Sequence, residues 1–478
     1  MRRLPLVALV ALVAPFLFLP LACEDSSGSS SGGAFNPEAG PGFEAGTTEA
    51  GPLPEAGVDA SPPAPLGVTV TVTEGGLPSS SVRVILQDAA GLVIGDKATD
   101  ATGKVTVATA PSMVTVLIAH GTGAGSSVAP VTFMGVADGD KLFVRSVADV
   151  LVETAPVGQY SVSFTSSAAN ANANVFDVFA GAGCFNTGNS VGASVVVALY
   201  PGCLGPKNAV LTEASLTGAI LGFGFAKDLA KPVANGVLDV GPLPFAAPGT
   251  TTLNATNVPA TPFGSTVELS AIANDVLFRM REATGTIDSG GRSWKTPTGF
   301  AEAYQTEVSF GEVNASSVST RLFLRREAVP ASNILTGVDY ASGLAKITDA
   351  ALTKPTPARP EVALTSTSAL TSADGGIATF HWSSPIAQSS GSWTVVFPPS
   401  TTTLKLPALP ADATAFVPTD NVSIDEVIFL EATQLPGYKE LKLLPIQPNF
   451  GVEIVDTQKP LPLPGTVRVT RWTPGVPG

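Results

Sequence analysis

Several residue types are scarce in this chain of 478 residues. It has three cysteines, two histidines and four tryptophans, and charged residues make up only 14% of the sequence. A zinc site needs about four nitrogen or sulfur ligands, and the two histidines, His120 and His381, lie far apart in the chain. We therefore expect no metal site and no cofactor. The net charge of −13 argues against a nucleic-acid partner, which would require a basic surface.

The first 22 residues have the organisation of an export signal. Arg2 and Arg3 precede an apolar segment at 4–18 that is short for a membrane span. The segment runs into Leu-Pro-Leu-Ala-Cys, which ends at Cys23. A small residue followed by cysteine resembles the signal of bacterial lipoproteins, although Pro20 and Leu21 depart from the usual leucine and small residue. The resemblance implies that Cys23 is lipidated, becomes the new N-terminus and anchors the protein to a membrane. Glu24 follows it instead of Asp, the residue tied to inner-membrane retention in enteric bacteria, which favours the outer membrane. The alternative is an ordinary cleaved signal with a cysteine nearby by chance.

A low-complexity segment follows at 23–65. It repeats the triplet Glu-Ala-Gly four times, holds seven acidic residues and has no Lys or Arg. Such a segment offers too few large apolar groups to offset the entropy of ordering, so we predict a disordered tether. Acidic Ala-Gly tethers after a lipoprotein cysteine resemble those of myxobacteria-like Gram-negative species.

From residue 66 the pattern favours β-structure. Short alternating runs rich in β-branched residues are separated by turn residues about every ten positions, as in 67–74, 81–88, 103–110 and 113–120. Two windows, 211–221 and 270–282, also resemble helices and stay ambiguous. The fold class predicted is all-β, with tandem antiparallel β-sandwich domains of Ig-like or prealbumin-like type. The predicted boundaries are 66–155, 156–265, 266–355 (uncertain) and 356–478.

The first of these domains carries a recognisable pattern. Gly76 and Pro78 precede an apolar strand, and Thr99, Asp100 and Gly103 precede a later strand. This pattern resembles the carboxypeptidase regulatory-like and Cna-B-like domains, which share a prealbumin-like sandwich, except that Ser81 stands where glycine is common. We expect Asp100 to accept hydrogen bonds from backbone N–H groups two residues on, and Gly103 to adopt a positive φ. The resemblance implies a fold and no activity, because such domains are usually spacers or binding modules.

The second domain holds the other two cysteines. Cys184 and Cys203 flank an apolar, strand-like run. If Cys23 is lipidated and the protein is exported, these two are free to form a disulfide. Two free thiols are the alternative.

Other residues suggest chemistry, and each has a structural explanation. Asp138 and Asp140 suit calcium, but the surrounding ligands of an EF-hand loop are missing and a hairpin turn is favoured. Asp420, Asp425 and Glu426 raise the same question. The glycine-rich run at 120–125 has no P-loop lysine and is more typical of a turn. The four tryptophans, Trp294, Trp382, Trp393 and Trp472, suit either a sugar-stacking platform or sandwich cores, and cores are favoured.

The function expected from these observations is that of a lipid-anchored cell-envelope protein. Its β-body would act as a non-enzymatic binding or structural module, with a surface protein or a glycan as its partner. The loops at sandwich ends are the expected binding surface. The alternative is a hydrolase of polysaccharide or peptide, which would need acidic residues or His381 to converge in a cleft.

Overall fold

The regular secondary structure of the described part of the protein is almost entirely β-strand. The computed structural model describes residues 67–475, apart from residues 75–76, 109, 121–126, 147–157, 167–174, 181–186, 191–193, 200–207, 216, 218, 231, 260–262, 275, 315–316, 357, 385–388, 419–420, 447–460 and 462. These contain two 3₁₀ turns, Tyr340–Ser342 and Thr414–Phe416, and one short helix, α1 (Tyr438–Leu441). No helix of the described part is long and apolar enough to cross a membrane. The predicted all-β class is confirmed.

Unit 1 (68–145) is a two-sheet sandwich. Its first sheet contains β1 (Val68–Glu74), β2 (Leu77–Pro78), β5 (Lys104–Val107) and β10 (Lys141–Arg145). Its second contains β3 (Arg83–Gln87), β4 (Val93–Ala98), β6 (Met113–Leu117) and β9 (Val131–Met134), with the short strands β7 (Ala119–His120) and β8 (Ser127–Val128) beside it. Strand β1 pairs antiparallel with β5 and parallel with β10. The second sheet runs β4-β3-β6-β9.

Units 2 and 3 repeat this arrangement. Unit 2 (158–243) has β11 (Gly158–Ser166), β12 (Val175–Ala180), β13 (Thr187–Ser190), β14 (Ser194–Leu199), β15 (Asn208–Ala214), β16 (Ile220–Lys227) and β17 (Val237–Leu243). Unit 3 (249–339) has β18 (Gly249–Thr256), β19 (Phe263–Ala273), β20 (Val276–Gly285), β21 (Arg292–Thr296), β22 (Ala303–Val313), β23 (Ser317–Ala328) and β24 (Ile334–Asp339). In both units the first strand is the middle strand of the smaller sheet. It pairs antiparallel with the fourth strand of the unit and parallel with the seventh. The second sheets run β13-β12-β15-β16 and β20-β19-β22-β23.

Unit 4 (347–474) is a variant of the same plan. It has β25 (Ile347–Thr353), β26 (Glu361–Ser366), β27 (Gly375–Ser384), β28 (Ser389–Phe397), β29 (Thr403–Lys405), β30 (Ser423–Ala432) and β31 (Gly465–Pro474). Its larger sheet keeps the shared order, as β28-β27-β30-β31. Its smaller sheet has the order β25-β26-β29. Strand β25 takes the place of the seventh strand of units 2 and 3, but it comes before β26 in the chain and pairs antiparallel with it.

The larger sheets of units 1, 3 and 4 form one continuous sheet. Its order is β20-β19-β22-β23-β31-β30-β27-β28-β9-β6-β3-β4. Strand β31 pairs antiparallel with β23 of unit 3, and β28 pairs parallel with β9 of unit 1. Strands from three of the predicted domains therefore share one hydrogen-bonded sheet.

Unit 4 contributes apolar side chains to both faces of this sheet. In β28, Val396 packs in the core beneath the small sheet of unit 1, whereas Val395 and Phe397 pack beneath the small sheet of unit 4. This alternation follows from the period-two geometry of a strand. The central region is therefore three layers thick, and one strand completes the cores of two units.

Both ambiguous windows of the sequence are strands. Residues 211–221 contain the end of β15 and the start of β16, and residues 270–282 contain most of the β19–β20 hairpin. Asn274 turns this hairpin with a φ of 51°, a conformation that asparagine tolerates better than most residues. Units 3 and 4 begin at Gly249 and Ile347, earlier than the boundaries expected at 266 and 356.

Candidate functional site

Several residues singled out in the sequence lie outside the described part of the chain. They are Cys23, Cys184, Cys203 and Asp420. The lipid anchor, the tether and the disulfide therefore stay predictions. His120 is the last residue of β7, and the glycine-rich run after it is also outside the described residues.

The two aspartates of the suspected calcium turn have protein partners. The Asp138 carboxylate accepts a hydrogen bond from the backbone N–H of Gly67 at 2.7 Å. Asp140 accepts one from the N–H of Ala137 at 2.8 Å and forms an ion pair with Lys442, whose side chain is 3% exposed. These carboxylates hold the turn before β10 and fasten unit 4 to unit 1. Among the described residues, no three His, Cys, Asp or Glu side chains come together in a way that could hold a metal ion.

The four tryptophans are buried, so the favoured interpretation of them as core residues is confirmed. Trp294 is 4% exposed in the core of unit 3. Trp382, Trp393 and Trp472 pack in the core of unit 4. None of them is available as a sugar-stacking platform.

A line of buried polar side chains crosses from unit 1 to unit 4. The amide of Gln87 hydrogen-bonds the Thr115 hydroxyl at 3.0 Å, and Thr115 lies 2.8 Å from the Thr132 hydroxyl. The indole N–H of Trp393 donates to the same Thr132 oxygen at 2.8 Å. Side-chain hydrogen bonds therefore reinforce the parallel junction between β9 and β28.

Replacing Thr132 with valine is expected to lower the free energy of unfolding by about 1–3 kcal/mol, because the buried Trp393 N–H loses its acceptor. Urea unfolding followed by tryptophan fluorescence would measure the change. Thr132→Ser keeps the hydroxyl and should lose less. Thr106→Val removes a partner from the exposed Thr69–Thr106 pair and should be close to neutral. Equal losses for Thr132→Val and Thr106→Val would contradict the role of the buried bond.

The turn that carries the family resemblance has the expected geometry. The Asp100 carboxylate accepts hydrogen bonds from the N–H and hydroxyl of Thr102, at 2.8 and 2.7 Å. Together with the N–H of Lys104, they hold the pKa of Asp100 below its usual value. Gly103 has a φ of 70°, and an added Cβ would lie 2.5 Å from the Val72 carbonyl oxygen. Ser81 has a φ of 62°, the left-handed conformation that glycine would adopt without strain.

Beside Ser81 the sandwich of unit 1 opens into a groove of about 270 Å³. We call it the Arg83 groove. Its polar lining comes from Glu74, Ser79, Ser81, Arg83 and Ser146. Its apolar lining comes from Val72, Val82, Leu117, Ile118, Ala119 and Phe416. Phe416 belongs to a 3₁₀ turn of unit 4, so two units build the groove.

Arg83 is the fixed charge of this groove. Its guanidinium donates to Asp96 through Nε at 2.8 Å and through Nη2 at 2.5 Å, and Nη2 also donates to Asp412 at 2.8 Å. These bonds, first to Asp96 and then to Asp412, hold the pKa of Arg83 above its usual value. The bond from Arg83 in turn lowers the pKa of Asp412. Because Asp412 lies in the loop that carries Phe416, this ion pair also positions the aromatic wall.

The structure also brings His381 near Asp425, one of the acidic residues that the sequence analysis considered. The pairing of β27 with β30 shifts between Thr379 and Phe380, so Asp425 is the extra residue of a bulge beside His381. Partial desolvation raises the pKa of Asp425 although its side chain is exposed, and the charge of His381 opposes this rise. Glu426 is buried and pairs with Arg471 at 2.7 Å.

A serine motif that the sequence analysis missed lies in unit 2. Residues 188–192 read Gly-Asn-Ser-Val-Gly, the Gly-x-Ser-x-Gly spacing of a nucleophile elbow. An elbow requires a strand followed by a turn and a helix. Here Ser190 ends β13 and the next described element is the strand β14. The required context is therefore not met.

Glu213 is a buried acid without a described partner. It lies on β15, is 1% exposed, and its Oε2 atom has no hydrogen-bond partner among the described residues. Burial raises the pKa of its carboxyl. Such a group holds its proton more tightly in the folded than in the unfolded state, so its contribution to stability is lost as the pH rises through the raised pKa.

Glu213→Gln is therefore expected to be more stable than the parent at pH 7, with little difference between them at pH 4. Thermal unfolding of both proteins from pH 4 to pH 8 would measure this. Asp100→Asn provides a control of opposite sign, because Asp100 has a lowered pKa and contributes stability that is lost as the pH falls. A pH profile of Glu213→Gln parallel to that of the parent would contradict the prediction.

Comparisons with known proteins give weak fold-level neighbours. No family model and no curated protein matches the chain. Among solved structures, the chain is similar to the Bacillus anthracis TIE protein, with 10% identity over 53% of this chain and 46% of that chain, and a TM-score of 0.13. It is also similar to the chicken CNTN1 FN1-FN3 domains, with 12% identity over 55% of this chain and 85% of that chain, and a TM-score of 0.14. The chain thus spans less than half the length of the TIE protein, and neither likeness carries an argument about function.

Proposed function

We propose that this protein is an exported, lipid-anchored protein of the bacterial outer membrane, and that its β-body is a non-enzymatic binding or structural module. The export signal and the small residue before Cys23 support the anchor. One cysteine-linked diacylglycerol with a further acyl chain would hold the protein stably, because two chains bind a membrane far better than one.

The observation that carries the binding role is the Arg83 groove. It is concave, it combines apolar walls with a few fixed polar groups, and it lies where two units meet, which are common properties of ligand sites. Arg83 is paired with Asp96 and Asp412 in the absence of a ligand. A polar group that is already in place lowers the entropic cost of binding.

The family proposed for unit 1 is the carboxypeptidase regulatory-like or Cna-B-like group. Its support is local: the Asp100 turn, the positive φ of Gly103, and the positive φ of Ser81 at the position where glycine is common. In unit 2 we propose a disulfide between Cys184 and Cys203, which would close a loop around β14. In the chain-entropy model such a loop contributes about 3 kcal/mol.

The anchor is tested by intact-mass analysis of the protein isolated from its own membranes, beside a Cys23→Ser variant. The expected result is a diacylglyceryl mass on a chain that begins at Cys23, and its loss in the variant. An unmodified chain released into the medium would overturn the anchor. The same spectra, taken with and without reductant and alkylation, report whether Cys184 and Cys203 are paired.

The bulge that places Asp425 beside His381 favours a second candidate function, a hydrolase of polysaccharide or peptide. A histidine with a neighbouring carboxylate is one way to build a general base. Peptide, ester and glycoside reporters test this candidate against the binding module. Turnover that His381→Ala abolishes, in a protein that still folds, would replace the binding module with the hydrolase.

A further inference from the structure

The lining of the Arg83 groove combines two kinds of chemistry. Glu74, Ser79, Ser81 and Arg83 supply a carboxylate, two hydroxyls and a guanidinium. Aliphatic side chains and the ring of Phe416 supply its apolar part. A ligand that fills this groove needs both apolar surface and hydrogen-bonding groups.

The charges around the groove disfavour an anion. Arg83 already binds two carboxylates, those of Asp96 and Asp412, at 2.5 and 2.8 Å. The three carboxylates of Glu74, Asp96 and Asp412 therefore outnumber the single positive charge of Arg83. Arg83 is the one cation in the lining, and an anionic ligand that approached it would be repelled by the carboxylates of Asp96 and Asp412.

The backbone of the groove floor is already paired. Arg83 of β3 lies opposite Leu117 of β6 in a regular antiparallel ladder. An extended peptide binds a sheet by adding to a free strand edge, and this part of the floor offers none. A ligand must therefore be held by side chains, and the volume of about 270 Å³ is slightly below the range typical for drug-sized ligands, about 300–1,000 Å³.

From these observations we propose that the Arg83 groove binds one neutral pyranose unit of a glycan. This inference rests on the proposed binding function and gives it a ligand class. The C–H face of the ring packs on Phe416. Sugar hydroxyls donate to the Glu74 carboxylate and accept from the guanidinium and the two serine hydroxyls. Because Glu74 and Ser81 of the lining are exposed, the rest of the glycan extends into solvent.

The test is calorimetric titration of the full mature protein with the neutral disaccharides cellobiose, maltose and chitobiose, and with digalacturonate as the acidic counterpart. At least one neutral disaccharide should bind, and digalacturonate should bind at least tenfold more weakly. Glu74→Gln and Phe416→Ala should each weaken neutral binding about tenfold. Phe300→Ala is the matched control, because Phe300 is half-buried and stacks on Phe225 at 4.8 Å, away from the groove.

Glu74 is exposed, so its variant should fold even if Phe416→Ala does not. The absence of binding by all three neutral disaccharides would overturn the sugar inference. So would tighter binding of digalacturonate, or neutral binding that Glu74→Gln leaves unchanged. A protein partner captured by cross-linking on cells and retained by Glu74→Gln would keep the binding module and overturn only the sugar. Hydrolysis of the reporters would remove the binding module itself.

Discussion

Removing residues 465–478 is expected to unfold units 1 and 4 together. These residues include β31, which pairs with β23 on one side and with β30 on the other. Val467 and Trp472 of this strand are fully or almost fully buried, and they lie in two different cores. The loss of a central strand exposes both cores and two strand edges. The expected cost therefore exceeds the stability of a typical domain, about 5–15 kcal/mol.

Circular dichroism and limited proteolysis of the shortened protein would show this effect. A point variant tests the same strand without deletion: Val467→Asp places a charge in a core position that is 0% exposed. Val313→Asp is its matched control, because Val313 ends β22, another strand of the same sheet, and is 54% exposed. A shortened protein that still melts cooperatively near the parent temperature would mean that the units are stable independently.

Replacing Lys442 with methionine is expected to lower the free energy of unfolding by about 3–5 kcal/mol. The change leaves the Asp140 carboxylate buried without its cation, which costs more than the pair itself contributes. Lys442 also donates to the Gly135 carbonyl at 3.3 Å, and its ammonium lies 4.8 Å from the ring of Tyr438. The Tyr438 hydroxyl donates to the Met134 carbonyl at 2.6 Å, so these bonds hold the segment around α1 to unit 1.

Two further variants separate the buried charge from other effects of the substitution. Lys405→Met breaks the more exposed pair with Glu361, which should cost less than about 1 kcal/mol. The double variant Asp140→Asn, Lys442→Met removes both charges and should recover part of the loss. Chemical unfolding of all four proteins at one pH gives the comparison. A double variant as unstable as Lys442→Met would assign the loss to packing and not to the unpaired carboxylate.

Local sequence patterns predicted the strands well, because alternation and turn residues act over a few positions. The runs at 67–74 and 113–120 become β1, β6 and β7, and Asp100 and Gly103 make the expected turn. The windows at 211–221 and 270–282 could not be decided, since a short apolar run fits a buried helix as well as a strand. Pairing with neighbouring strands resolved both.

The Arg83 groove could not be predicted, because its parts are far apart in the chain. Arg83 and Asp412 are separated by 329 residues, and the loop of Asp412 brings Phe416 to the groove. The only local sign was Ser81, a serine at a position where glycine is common, and it pointed to a turn. Similarly, the sequence suggested only a calcium ligand or a turn residue for Asp140. Its ion-pair partner, Lys442, comes from another unit and is 302 residues away in the chain.

The amino-acid sequence alone therefore established the all-β class, most strand positions and the turn chemistry of unit 1, all of which depend on neighbouring residues. The tertiary structure decided which strand edges meet. Open edges leave backbone hydrogen-bonding groups unpaired, and nothing local in β23, β31, β28 or β9 specifies the partner of each edge. Once those edges pair, three sandwiches share one sheet, β28 and β31 complete two cores, and a loop of unit 4 closes the groove of unit 1.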